Sequence, residues 1–162
     1  MQLQSLKTVA IMAALSTAML LFSMKIEAQA VKLDPQARVK QEVDLTVTLV
    51  QIGQSSNERY FAAMLLCVIT NGDESKLVDD ESLRSIITLL DMNDDAVRYW
   101  VALCLGNFGP RAKPAVPKLL KILDEMDCVK AALTSADAAR VALKKIGADV
   151  PPSNCEWRRK VQ

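Results

Sequence analysis

A helical pattern recurs in this chain at a regular interval, and the recurrence limits the accessible folds more than any other feature. Residues 59–64, RYFAAM, match residues 98–103, RYWVAL, after a displacement of 39. Residues 105–109, LGNFG, match residues 143–147, LKKIG, after a displacement of 38. Repeats of roughly 20–50 residues are typical of stacked helix pairs, each with an apolar face that only a neighbour can bury.

The central unit spans residues 89–125 and predicts a helix end, an acidic turn, a helix, a corner at Gly109-Pro110 and a second helix. Apolar residues at helical spacing give its second helix a predicted buried stripe. That stripe is Val116, Leu119, Leu120 and Leu123. The upstream helix, residues 57–70, has a stripe of the same kind. Its members are Phe61, Met64, Leu65 and Val68.

Three further helices are predicted over residues 34–52, 79–90 and 136–145. The first is ambiguous, because residues 43–49 also alternate apolar and polar side chains as a β-strand does. The same segment offers a helical stripe, and the repeat context favours the helix. That stripe is Val39, Val43, Val47 and Val50.

The composition agrees with helix-on-helix packing and excludes several kinds of chemistry. Of the 162 residues, 51% are hydrophobic but only 4% are aromatic, so the core must be mainly aliphatic. The chain has no histidine, which excludes Ser-His-Asp catalysis and histidine-containing metal sites. A net charge of +1 gives no reason to predict a nucleic-acid partner. No cofactor is predicted.

Residues 1–30 have the layout of a secretory signal peptide. Lys7 supplies positive charge, residues 9–22 are apolar, and Ala28 and Ala30 are the small residues that a signal peptidase reads. The alternative is an uncleaved anchor helix, but a membrane span needs about 20 apolar residues. We therefore predict cleavage after Ala30, a periplasmic or secreted mature chain of residues 31–162, and only transient membrane contact.

Export affects how the four cysteines are interpreted, because disulfides persist in oxidising compartments. Cys128 follows a predicted helix and Cys155 lies in the C-terminal tail, so we predict a bridge between them. Cys67 and Cys104 fall on apolar helix faces, where a buried thiol is the commoner state. The spacing does not suit a four-thiolate zinc site.

The repeats resemble HEAT repeats, especially the short HEAT-like or phycobilisome-lyase-type kind. The resemblance rests on the turn and its following helix and corner, and it extends weakly over residues 40–148. It implies a short right-handed α-α solenoid of about three helix pairs plus capping helices. It also implies that a turn aspartate and a helix arginine bond between successive repeats. This would give Asp91 and Arg98 a structural role. The full set of residues expected to be structural in the repeat is Asp91, Asp94, Arg98, Gly109 and Pro117.

The C-terminal residues 150–162 are predicted to cap the domain. Ser153 and Glu156 have the spacing of a capping box, and we predict a short helix there whose Trp157 covers the end of the core. The third unit has Ala136 where the earlier units have arginine. Such a departure is expected of a terminal repeat, which has no following neighbour.

Nothing in the sequence indicates catalysis. The acidic turn 91–95 lacks the glycine and glutamate of an EF-hand, having Ala96 and Ala102 instead. Four basic residues in and before the second central helix predict a solvated face or a surface that binds an acidic partner. They are Arg111, Lys113, Lys118 and Lys121. We expect a non-catalytic module that binds a protein in the cell envelope. The alternative is an accessory or inhibitory subunit of an enzyme or toxin complex.

Overall fold

A computed structural model describes residues 34–129, 133–153 and 155, and every regular element in these ranges is helical. The predicted all-α class is therefore confirmed. The α-helices are α1 (Pro35–Ile52), α2 (Ser56–Ile69), α3 (Glu74–Leu77), α4 (Asp80–Thr88), α5 (Asp95–Asn107), α6 (Val116–Met126) and α7 (Ser135–Ile146). Two 3₁₀ helices, Leu89–Asp91 and Gly109–Ala115, precede α5 and α6.

The contacts divide the chain into two units, residues 1–38 and residues 39–162. In the first unit the described residues form the start of α1, where the Asp34 carbonyl accepts the Arg38 N–H at 2.9 Å. All further description concerns the second unit. The predicted signal peptide, residues 1–30, and the predicted helix around Trp157 lie outside the described residues.

Helix α1 resolves the ambiguity between helix and strand. The predicted valine stripe is buried, from Val39 at one end to Val50 at the other. The threonines that suggested a strand are accommodated because their hydroxyls donate to carbonyls one turn earlier, Thr46 to Glu42 at 2.6 Å and Thr48 to Asp44 at 2.9 Å. The helix prediction for this segment is confirmed.

Side-chain caps fix where four of the other helices begin. In each case an oxygen of the N-cap residue accepts the backbone N–H three residues later, which satisfies a donor that the helix leaves free. The caps are Ser55 for α2, Asp79 for α4, Asp94 for α5 and Thr134 for α7. Thr134 also forms a reciprocal capping box with Asp137. Because short polar residues precede each apolar run, the sequence located these starts to within a residue or two.

Helix α5 is the centre of the packing, with α2 against one face and α7 against another. Its contact with α7 is the most extensive between any two described helices. Gly106 permits this approach, because a Cβ there would lie 3.3 Å from the Ala142 Cα and 3.2 Å from the Lys145 side chain. Gly106 thus lies inside α5 and serves close packing. Gly109 forms the corner, with φ of +54°.

The predicted buried stripe of α2 is wrong. Phe61, Leu65 and Val68 are exposed, while Ala62, Ala63 and Leu66 form the buried face. The prediction failed because α2 is apolar on most of its circumference, so spacing alone could not choose a face. Helix α6 shows a smaller discrepancy, with Leu120 exposed and Ile122 buried.

Two adjacent leucines of α2 provide a test of its orientation. Leu66→Ala should lower the free energy of unfolding by about 2–5 kcal/mol, because it leaves a cavity in the core. Leu65→Ala should lower it by less than about 1 kcal/mol in dilute solution. Chemical denaturation at submicromolar concentration measures both changes. Equal losses would contradict the orientation of α2.

Candidate functional site

The basic face predicted around α6 divides into two pairs of residues with different surroundings. Arg111 binds acceptors of the preceding unit, and Lys118 binds the acidic turn. Arg111 donates to the carbonyls of Ser75 at 3.0 Å and Val78 at 2.7 Å, and to Asp80 at 2.9 Å. Its guanidinium therefore satisfies two backbone acceptors in and after helix α3.

Lys118 donates to Asp91 at 2.5 Å and lies 3.5 Å from the Ile87 carbonyl. In contrast, Lys121 is 75% exposed and only 3.6 Å from Glu125, a surface pair that contributes little. Lys113 is exposed and has no ion-pair partner among the described residues. Two of the four predicted cations are thus structural, and Lys113 and Lys121 are the ones open to a partner.

The three aspartates of the acidic turn accept hydrogen bonds from three different helices. Asp94 caps α5 and accepts from the Arg59 guanidinium of α2 at 3.1 and 3.2 Å, and from Ser56 at 2.9 Å. Asp95 accepts from the Ser135 hydroxyl and backbone N–H of α7. With Asp91 bound to Lys118, the turn ties the central unit to helices on both sides.

An aspartate–arginine contact between units is made by Asp94 with Arg59, and not by Asp91 with Arg98 as expected. Arg98 instead donates to Glu125 at 3.1 Å and to the Met92 carbonyl at 2.7 Å. Burial opposes ionisation of Asp94, but hydrogen bonds from Ser56, the Val97 N–H and Arg59 outweigh it and hold its pKa below the usual value. Pro117 lies at the start of α6, where a proline needs no N–H partner.

A groove of about 380 Å³ lies between α1 and α4, and no sequence pattern indicated it. It is lined mainly by polar residues, including Arg84, which has no ion-pair partner among the described residues. Beside it, Lys40 lies 3.0 Å from Asp79. The Ser82 backbone N–H and the Lys40 ammonium lower the pKa of Asp79 to about 2, and the hydrogen bond to Asp79 raises the pKa of Lys40.

Cys128 and Cys155 are brought together as predicted, with their Sγ atoms at bonding distance and Cα atoms 5.4 Å apart. A buried network supports this link. Arg140 donates to Asp127 at 2.6 Å and to the Pro151 carbonyl at 2.9 Å, and the Ser153 hydroxyl donates to Asp127 at 2.6 Å. The sequence missed this network, since Arg140 and Asp127 lie on opposite sides of a connecting segment.

The other two cysteines are free thiols. Cys104 is buried and its Sγ lies 2.9 Å from the Thr70 hydroxyl, while Cys67 is half-buried and accepts weakly from Asn107. Burial raises the pKa of both thiols, so neither is activated as a nucleophile. The sequence-based prediction of burial is confirmed for Cys104.

Within the described residues, no group of three or more metal-ligating side chains is positioned to hold a metal ion. No helix in those same ranges is both long and apolar enough to cross a bilayer. The features with chemical interest are therefore the two open cations, the polar groove and the disulfide-anchored tail.

Asp94→Asn isolates the ion pair between units, because asparagine still caps a helix. We expect it to lower the free energy of unfolding by about 1–2 kcal/mol at pH 6. Since the folded state lowers the pKa of Asp94, its stabilising effect is complete above the unfolded pKa of about 3.9 and lost as the pH falls through the folded value. The difference from wild type should therefore shrink towards pH 2.

The control is Asp91→Asn, which removes a carboxylate that is 66% exposed. Its effect should stay below about 0.5 kcal/mol at both pH values. Urea denaturation at pH 6 and pH 2 measures both variants. A larger loss for Asp91→Asn than for Asp94→Asn would show that Asp94 does not carry this contact.

The disulfide closes a loop with a sequence separation of 27, so its reduction should lower the free energy of unfolding by about 3.5 kcal/mol. Denaturation with and without dithiothreitol measures this change. Thiol counting on denatured, unreduced protein should find two free thiols. Four would contradict the pairing, and Cys67→Ser should reduce the count to one.

Comparison of the chain with protein-family models, with curated proteins and with solved structures found no match in any of the three.

Proposed function

We propose that this chain is an exported, non-catalytic protein-interaction module built as a short right-handed HEAT-like solenoid. Equivalent contacts one repeat apart support the architecture. Arg59 donates to the Gly53 carbonyl at 2.9 Å, and Arg98 donates to the Met92 carbonyl at 2.7 Å. The two donors are related by the same displacement as the sequence repeat, and so are the two acceptors. Two successive units therefore use the same arginine-to-carbonyl hydrogen bond to join their helices.

Export is supported by the cysteines and by the layout of residues 1–30. A Cys128–Cys155 disulfide is stable in the periplasm or outside the cell and is rarely maintained in a reducing cytosol. The two free thiols, Cys67 and Cys104, lie in contacts between helices. This division between one bridged pair and two sheltered thiols suits a protein that folds under oxidising conditions.

A non-catalytic role is supported by the state of the groups that could act as nucleophiles or bases. The sequence has no histidine, and burial raises the pKa of Cys67 and Cys104. The aspartates of the acidic turn are occupied by Arg59, Lys118 and Ser135. Carboxylates held in this way join helices and are poorly placed to exchange protons with a substrate.

The observation that carries the docking proposal is the exposure of Lys113 and Lys121 on the second-helix side of the central unit. In a HEAT-like solenoid the second helices line the concave surface. An acidic segment of a partner protein can contact both ammonium groups there without breaking a contact that the fold needs. Arg111 and Lys118 would support the surface while remaining bound to the preceding unit and to the acidic turn.

To test this docking surface, the protein is recovered from the cell envelope, where its intact mass should correspond to a chain beginning at Val31. Crosslinked partners are then quantified for wild type and for the Lys113→Glu, Lys121→Glu double variant. Charge reversal should reduce recovery of a specific partner at least tenfold, because like charges repel across an interface.

The matched control is Lys144→Glu, an exposed lysine of the first-helix type on α7. It makes a charge change of the same sign and should leave recovery unchanged. Equal loss in both variants would indicate a nonspecific charge effect. Unchanged recovery in the double variant would exclude Lys113 and Lys121 as the docking surface.

A further inference from the structure

Helices α1 and α2 each carry a stripe of exposed, uncharged apolar residues at helical spacing. The side chains are between 41% and 66% exposed, which is unusual for so many large apolar residues on neighbouring elements. Together they are called the apolar end face. Its residues are Leu45, Leu49 and Ile52 of α1, and Phe61, Leu65 and Val68 of α2.

The repeat shows what the α2 stripe is equivalent to. Adding the displacement of 39 to Phe61, Leu65 and Val68 gives Trp100, Cys104 and Asn107 of α5. All three contact α2 or the residue that directly follows it. Helix α5 uses this flank to pack against α2. The stripe of α2 therefore lies on the flank that is equivalent to the α2-facing flank of α5. The contacts are Trp100 to Tyr60 with ring centroids 6.0 Å apart, Cys104 to Thr70 at 2.9 Å and Asn107 to Cys67 at 3.9 Å.

The α1 stripe has the same relationship to α4. One repeat displacement from Leu45 and Leu49 leads to Arg84 and Thr88, and both of these line the groove that faces α1. The stripes of α1 and α2 thus correspond to positions of α4 and α5 that face α1 and α2 one repeat later. There the α5 positions pack against α2, whereas Arg84 and Thr88 stay exposed in the groove beside α1.

Among the described residues no helix pair precedes α1 and α2, and the surface is left uncovered. Terminal repeats usually carry a polar outer face, because an apolar one reduces solubility. Here Leu65 is 46% exposed, whereas its equivalent Cys104 is fully buried. On this flank α2 therefore carries an apolar surface of the kind that is buried in the next repeat.

We propose that the apolar end face packs against the same face of a second copy of this chain, forming a twofold-symmetric dimer. The six residues include no charge that would select an oppositely charged partner. In the next repeat the equivalent flank packs against helices. In a dimer each copy offers helices to the other. In such a dimer residue i of one copy contacts residue j of the other, and residue j of the first copy contacts residue i of the second. Every apolar side chain therefore meets another.

The available area agrees with a dimer. Half-exposed side chains of this size each offer on the order of 100 Å². Six residues from each of two copies therefore offer about 1,200 Å², which is near the lower limit of stable protein interfaces. Tyr60, whose ring contacts Phe61 at 5.2 Å, adds aromatic surface beside the stripe.

The C-terminal end of the repeats favours a twofold contact over a head-to-tail contact. There the C-terminal tail is joined by the Cys128–Cys155 link, and Arg140 of α7 donates to the Pro151 carbonyl. Ser153 is fixed to Asp127 in the same region. Because the tail is fixed to this end, like faces meet and the assembly closes at two copies.

Sedimentation equilibrium of the purified protein between about 1 and 100 µM tests the proposal. Wild type should have twice the mass of the chain at the upper end of this range. Leu65→Lys should weaken self-association at least 100-fold, because each dimer would bury two ammonium groups without partners. Its circular dichroism spectrum should match that of wild type, since Leu65 is not part of the core.

The matched control is Val141→Lys, which changes a 44%-exposed apolar residue of α7 and should leave the dimer intact. A monomeric wild type, a Leu65→Lys dimer or a dissociated Val141→Lys variant would each overturn the proposal. This readout is independent of partner docking, because charge reversal at Lys113 and Lys121 should not change the mass.

A second variant avoids dependence on the folding of Leu65→Lys. Leu65→Cys places a thiol in the middle of the α2 stripe, and mild oxidation should convert it to a covalent dimer on a non-reducing gel. Val141→Cys treated in the same way should remain monomeric. Absence of crosslinking at Leu65→Cys, or equal crosslinking in both variants, would contradict a twofold axis at the apolar end face.

Discussion

The close approach of α5 to α7 is the constraint from which most of this structure follows. Glycine at position 106 leaves room for the Ala142 backbone, and the facing residues of α7 include several alanines. Small side chains let two helices come together at a short distance, so their dispersion contacts extend along the whole interface. A core built in this way needs few aromatic residues, which agrees with the 4% in the sequence.

Polar ties reinforce this packing at the ends of the helices. The acidic turn before α5 is bonded to α2 through Asp94 and Arg59, and to α7 through Asp95 and Ser135. On the other side of the molecule, Ser82 of α4 donates to Asp44 of α1 at 2.9 Å. The apolar contacts bring neighbouring units together, and these hydrogen bonds fix how far one unit is rotated or shifted along the next.

Helix positions were largely predictable because their signals are local. Ser55, Asp94 and Thr134 each precede an apolar run, and a cap needs only residues within one turn. The Cys128–Cys155 pairing was also predictable, because few cysteines were available and two of them lay on helix faces. Both predictions depended on short-range pattern and chain position.

Side-chain direction and long-range pairing were less predictable. Helix α2 contains apolar residues on most of its surface, so only the positions of its neighbours determine that Leu66 is buried and Leu65 exposed. The acceptors of Arg111 belong to the preceding unit and that of Lys118 to the acidic turn, and all are distant in sequence. A run of basic residues could not reveal which cations the fold would occupy and which it would leave to solvent.

The burial of Cys104 has a consequence for how the chain acquires its disulfide. Four cysteines allow three complete pairings, and exchange among them proceeds through a thiolate. Once α2 and α5 have packed, the raised pKa of Cys104 keeps its sulfur protonated, and the neighbouring Cys67 is partly sheltered in the same contact. Helix packing thereby shelters Cys104 fully and Cys67 in part, which favours oxidation of the two cysteines that lie beyond the helices.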